Sequence, residues 1–89
     1  MFGGQWMPAF TYHVALPFVK SEAGLVPGDA VECVDADLAV VTAMALSMSK
    51  DNVGAIAFSR TGDSVSGEFS DAVIVEQFGE VPSDLTMLY

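Results

Sequence analysis

The chain has 89 residues, 52% of them hydrophobic and only 17% charged, and twelve acidic against three basic residues give a formal net charge of −9. That balance excludes direct binding to a nucleic-acid backbone, because phosphates require clustered Lys and Arg whereas Lys20, Lys50 and Arg60 stand far apart in the sequence. At this length one domain is expected, burying only about 60% of its unfolded surface, so the apolar supply exceeds the need of one small core and part of it is expected to meet a partner, first of all a second copy of the chain.

The carboxylates are scattered, with no block of five or six like charges, which fits ordinary solubility better than mimicry of nucleic acid toward a basic protein. A single cysteine, Cys33, forbids an internal disulfide framework and points to a reducing compartment, the cytoplasm. The opening MFGGQWMPAF has no basic start and no sustained apolar run, so neither a signal peptide nor a membrane span is expected, and the true start is either Met1 or Met7. Residues 1–9 read as a flexible leader and residues 10–89 as a single domain.

Along that domain, Phe10, Tyr12, Val14, Leu16 and Phe18 alternate with smaller or more polar residues, which predicts a strand with one large apolar face. Pro17 lacks an N–H and therefore places its part of the strand at an edge, a bulge or the strand end. KSEAG and VPGD read as turns, Gly28 giving the second its backbone freedom. AVECV is either a short strand or an extended lead-in to a helix.

Asp35 is the expected N-cap of a helix over Ala36 to Ser49, with Asp37 adding negative charge to its first turn. Lys50, Asn52 and Gly54 mark its end, the last two as residues that tolerate a left-handed conformation. Leu38, Val41, Ala45 and Met48 form the face expected against a sheet, and Val40, Met44 and Ser47 a second stripe. A helix apolar on nearly every side needs cover on more than one face, and in so short a chain the second cover is a subunit seam with Val40, Met44 and Met48 as its interface residues.

Beyond the helix, Ala55, Ala57 and Ser59 alternate with Ile56, Phe58 and Arg60, so the next strand has a small face that lets a helix approach closely. A last strand over Asp71 to Phe78 sets Val73, Val75 and Gln77 opposite Ala72, Ile74, Glu76 and Phe78, and VPSDLTMLY adds a turn and one helical turn capped by Ser83 or Asp84. The expected fold class is α+β: a small antiparallel sheet of three to four strands with one helix packed on one face, a two-layer sandwich in β-β-α-β-β order, the competing topology being a three-stranded meander. Such a sheet leaves its second face bare, and stacking of two copies would cover it.

GAIAFSRTGD followed by GEFSDAVIVEQFGEVP resembles a segment of short uncharacterised bacterial proteins. The resemblance covers about the last forty residues, implies a bacterial setting, and brings neither an activity nor catalytic residues.

The candidate ligand-binding residues are Arg60, Thr61, Asp63 and His13. SRTGD offers a guanidinium, two hydroxyls and a Gly-Asp turn suited to a carboxylate or phosphate. The plainer reading gives Asp63 a turn hydrogen bond and pairs Arg60 with Glu68 or Asp71, contacts that contribute about 0–1 kcal/mol on a surface. TGDSVSG lacks the phosphate-cradling GxxxxGK[ST] pattern. His13, the sole histidine, lacks companions for a metal and reads as a strand-face residue; a Cys33 nucleophile activated by His13 competes with Cys33 as a small packed residue. Asp29, Glu32, Asp35 and Asp37 lack the spacing of a calcium loop. No catalytic residue, metal or cofactor is assigned. Two function classes remain: a small acidic, non-enzymatic, homodimeric interaction module that also has the surface to dock another protein, and a small anionic-ligand or enzymatic domain with a site near Arg60 at a dimer seam. Convergence of Arg60, His13 and Cys33 on one concavity would favour the second.

Overall fold

The computed structural model describes residues 9–63, 70, 72–83 and 85. They form an α+β domain with one helix and an open antiparallel sheet of five strands: β1 (Ala9–Ser21), β2 (Gly24–Pro27), β3 (Val31–Cys33), α1 (Ala36–Ser47), β4 (Gly54–Asp63) and β5 (Val73–Gly79). AVECV contributes a true strand, and LVP, expected inside a turn region, makes another, so the order is β-β-β-α-β-β and not β-β-α-β-β. β1 starts at Ala9, a residue assigned to the leader from sequence.

The 13-residue β1 is the spine. Along one side it pairs with β4 over its first ten residues, from Ala9↔Asp63 to Phe18↔Gly54, and along the other it pairs with β3 and then β2, while β5 lies outside β4. Pro17 sits in the middle of this strand, and the bulge alternative explains how. Its carbonyl accepts from Gly28 N–H at 2.8 Å in the gap between β2 and β3, where the register slips by one residue. The N–H and C=O of an extended residue face the same neighbour, so the missing donor falls where the ladder is already interrupted.

Pairing fixes the two faces of the sheet. His13 and Ala15 of β1 lie with Ala55, Ala57 and Ser59 of β4 on the side of α1, and Val14, Leu16 and Phe18 lie with Ile56 and Phe58 on the other. The small face receives the helix: Ala15, Ala55 and Ala57 meet Ala39 and Ala43, all five fully buried, with Val40, Leu46, Cys33 and Phe78 around them. Small side chains let two backbones approach and gain many weak dispersion contacts without threading long side chains between them.

This phase corrects the helix reading. Leu38, Val41, Ala45 and Met48 do not face the sheet; they are exposed, and the inward residues are Ala39 and Ala43 with half-buried Ala36, Val40, Thr42 and Leu46. Val40, expected at a subunit seam, packs against the alanine cluster, whereas Met44 stays exposed. The physical reason is size: the sheet presents alanines, so the complementary helix face is also the small one, and hydrophobicity ranks the wrong stripe first.

The helix begins as expected, with Asp35 Oδ1 accepting from Leu38 N–H at 2.7 Å. Its end is different. The chain leaves at Ser47 through a right-handed Met48, Met48 N–H donates to the Ala45 carbonyl at 3.2 Å, and the Asn52 side-chain amide donates to the Leu46 carbonyl at 2.9 Å. Ser49 N–H donates to the same Leu46 carbonyl at 3.1 Å, so Asn52 adds a second donor to a helix-end carbonyl through its side chain, with no left-handed residue. Gly54 belongs to β4, opposite Gly79, and a Cβ at Gly54 would strike the Glu80 carbonyl.

The far face is not bare. Leu16, Phe18, Ile56 and Phe58 are buried there, with Phe18 and Ile56 at 0% exposure, and Val14, Ala72, Ile74, Val81 and Leu85 pack with them. The segment after β5 folds back over the sheet, which covers within one chain the surface expected to stack against a second copy. β5 itself breaks strict alternation: Ala57↔Glu76 is followed by Phe58↔Ile74, leaving Val75 as an extra residue. Ile74 therefore joins the far cluster and Phe78 the helix-side cluster, although sequence alternation puts both on one face. The one helical turn expected after VPSD falls largely outside the described residues.

Ala57→Leu is expected to destabilise by about 1–3 kcal/mol through overpacking between α1 and β4, lowering the melting temperature by at least about 4 °C. Gly54→Ala is expected to lower it comparably by displacing the Glu80 backbone. Thermal and urea unfolding followed by circular dichroism read both, and a melting temperature unchanged in Ala57→Leu would show that the alanine contact is loose.

Candidate functional site

Each candidate residue is held by strand register. Thr11, His13, Ser59 and Thr61 form a polar ladder on the helix side of the sheet, just beyond the alanines: Thr11 Oγ1 and Thr61 Oγ1 share a hydrogen bond at 2.9 Å, and His13 Nδ1 and Ser59 Oγ another at 2.8 Å. Cys33 is the cross-strand partner of His13 on the other side, and its thiol donates to the Val31 carbonyl at 3.6 Å and lies 3.8 Å from Thr42 Oγ1 of α1.

Arg60 is directed to the opposite face. It is the cross-strand partner of Tyr12, one residue off the ladder in each strand, and so shares the face of Val14 and Phe58. Its Nε donates to the Ser70 carbonyl at 3.0 Å, while Ser70 N–H and Oγ donate to the Thr61 carbonyl at 2.8 Å and 3.1 Å. Arg60 and Thr61 therefore clamp the far end of the connection from β4 toward β5. Phe10 and Tyr12 stand on the Arg60 face edge to face, ring centroids 4.9 Å apart.

The expected convergence divides in two. His13 and Cys33 are neighbours, Arg60 lies behind the sheet from them, and the backbone of Asp63 continues β4 opposite Ala9 where a Gly-Asp turn was expected. Glu68 and Asp71, the expected partners of Arg60, lie outside the described residues. A ligand held by the guanidinium cannot reach the imidazole without passing through the β1–β4 ladder. On the helix side, a thiol and an imidazole are adjacent, but the thiol's hydrogen bonds run to Val31 and Thr42 and the imidazole's to Ser59, so no nucleophile–base–orienter chain links them. No group of three or more metal-ligating side chains converges among the described residues, and Asp35 is committed to the helix cap.

Sequence reasoning missed Thr11, Ser59 and Thr42 as the polar partners of this ladder, and their signal is only visible once β1, β4 and α1 are brought into register. It expected an exposed apolar helix flank with Met44 and Met48, but set Leu38 and Val41 against the sheet and Val40 on the flank. Val34, Leu38, Val41, Met44 and Met48 are large and exposed on or beside α1, Val41 at 60% and Met48 at 77%. Asp37 is the only charged residue within Ala36–Ser47. No helix among the described residues is long and apolar enough to cross a membrane.

No protein-family model, curated protein or solved structure matches the chain.

Because the two side chains sit on opposite faces of the sheet, the stability effects of His13→Ala and Arg60→Ala are expected to add within about 0.5 kcal/mol. A double-mutant cycle by urea unfolding measures this, and a coupling above about 1 kcal/mol would mean that the two side chains communicate through the sheet.

Proposed function

We propose that the protein is a non-enzymatic interaction module that acts as a homodimer in a reducing compartment, a two-layer body docking a second copy of itself on the outer face of α1. One observation carries this reading: the large apolar residues of the helix point away from the sheet, exposed and almost free of charge. The seam residues become Leu38, Val41, Met44, Ala45 and Met48, with Val34 at one end, in place of Val40.

Area supports the reading. From the exposures of these residues, the patch presents on the order of 500 Å² per chain, so two copies would remove about 1,000 Å², the lower end for a specific interface. Fully covering each Val-, Leu- or Met-sized side chain is worth roughly 1.5–3 kcal/mol, and the partial exposures here leave a sum that association costs reduce further. A concentration-dependent dimer is the consequence.

The anionic-ligand alternative has Arg60 without His13, since the sheet separates them. Its guanidinium already holds the Ser70 carbonyl.

Light scattering across micromolar concentrations is expected to give twice the 9.4 kDa chain mass. Val41→Glu is expected to return the monomer with its circular dichroism unchanged, because Val41 touches solvent and not the core. A wild-type monomer whose melting temperature is independent of concentration would overturn the proposal, and a dimer untouched by Val41→Glu would move the seam off α1.

A further inference from the structure

We infer that the outer side of α1 also seats a cationic amphipathic helix of another protein, which takes the place of the second copy; this rests on the reading of that side as a docking face. The surface is apolar at its centre and acidic at its edge. Asp37 lies one turn before Val41 on the same outer side, Asp35 stands at the cap and Asp51 just beyond the last turn, all exposed. On the β5 flank, Glu76 is the cross-strand partner of Ala57 and so shares the face on which the helix sits, again exposed.

The cations lie mostly elsewhere. Lys20 follows Leu16 and Phe18 onto the far face of the sheet, where its ammonium is 3.9 Å from Glu80 Oε1, and Arg60 on that same face donates to the Ser70 carbonyl. Of the chain's three basic residues, only Lys50 stands near the helix, next to Asp51. The domain is thus polarised, its apolar outer side lying where Asp35, Asp37, Asp51 and Glu76 meet a single ammonium. A second copy answers the apolar part of this surface and repeats its charge. A helix with lysines or arginines bordering a row of Leu-sized residues answers both. Leu38 to Met48 spans about 15 Å at the helical rise, a length matched by about three turns of a partner helix. Exposed Met44 and Met48, flexible and polarizable, adapt to side chains of differing shape, which suits a partner other than an identical helix.

The probe is a synthetic peptide of about 14 residues whose helix carries leucine on one face and lysine on the other, and its counterpart with glutamate in place of lysine is the control. Calorimetric titration of the full chain is expected to show one lysine peptide bound per chain and no binding of the glutamate peptide. Light scattering is expected to show the two-chain mass falling to one chain with one peptide, and added salt to weaken the complex. Val41→Glu separates seating on the helix from attraction by net charge. Seating predicts about tenfold weaker binding although the variant is more acidic, whereas net charge alone would tighten it. Asp37→Asn combined with Glu76→Gln is expected to weaken the peptide several-fold, and Glu22→Gln, in the β1–β2 turn, to have a smaller effect. Equal binding of the glutamate peptide, tighter binding by Val41→Glu, or a lysine peptide bound to an intact dimer would overturn the inference. A monomeric wild-type chain that takes the lysine peptide with these sensitivities would uphold it and remove the homodimer, and a dimer that ignores the peptide would do the reverse.

Discussion

The contact on which the rest of the structure depends is alanine against alanine, Ala39 and Ala43 of the helix on Ala15, Ala55 and Ala57 of the sheet. A helix seated on such a surface turns its smallest residues to the centre of the contact, with Val40 and Leu46 at its edge, and Leu38, Val41, Met44 and Met48 take the outer side. The exposed apolar stripe is a consequence of the close approach. Replacing the alanines by larger residues would lift the helix, and replacing the stripe by polar residues would leave the helix–sheet contact intact. Stability and surface are thereby assigned to different positions on the same twelve-residue element.

The sheet solves a complementary problem. Its large residues gather on the far side, and the chain covers their centre with Ala72, Val81 and Leu85. That return path needs a sharp approach of the segment after β5 to the start of β4, where Gly54 faces Gly79, Val53 N–H donates to the Phe18 carbonyl and Glu80 N–H to the Val53 carbonyl at 2.8 Å. Gly79 has a φ of 69°, which favours a residue without a Cβ. The two glycines thus connect the strand pairing to the closure of the second cluster.

The α+β class, the helix cap at Asp35 and the small-against-large faces of β4 were legible because each is local: alternation over a few residues, or a side chain reaching its own backbone three residues on. What was not legible depended on pairing. Val75 as an extra residue in β5, the slip beside Pro17 and the separation of His13 from Arg60 follow from register, which period-two patterning does not specify across a bulge. The helix phase was misread for a different reason: ranking stripes by hydrophobicity assumes that the most apolar one is buried, and a sheet that offers only alanines rewards the smallest one. Of the candidate site, the residue types were visible and the juxtapositions were not; His13 beside Cys33 and Ser59 emerges only from β1 lying between β3 and β4.

Net charge bears on how the proposed dimer would form. Two chains at −9 repel one another at distances comparable with the screening length, about 8–10 Å at ordinary ionic strength, and within that range only a surface that is locally uncharged avoids the penalty. The helix offers one, with Asp37 as its only charge and Lys50 just beyond its end. In the proposed dimer, long-range repulsion would suppress indiscriminate contact between copies, and short-range burial along Leu38, Val41 and Met48 would act only with these residues aligned. Added salt should strengthen such an association by screening the first term while leaving the second in place, the opposite of a complex held mainly by ion pairs.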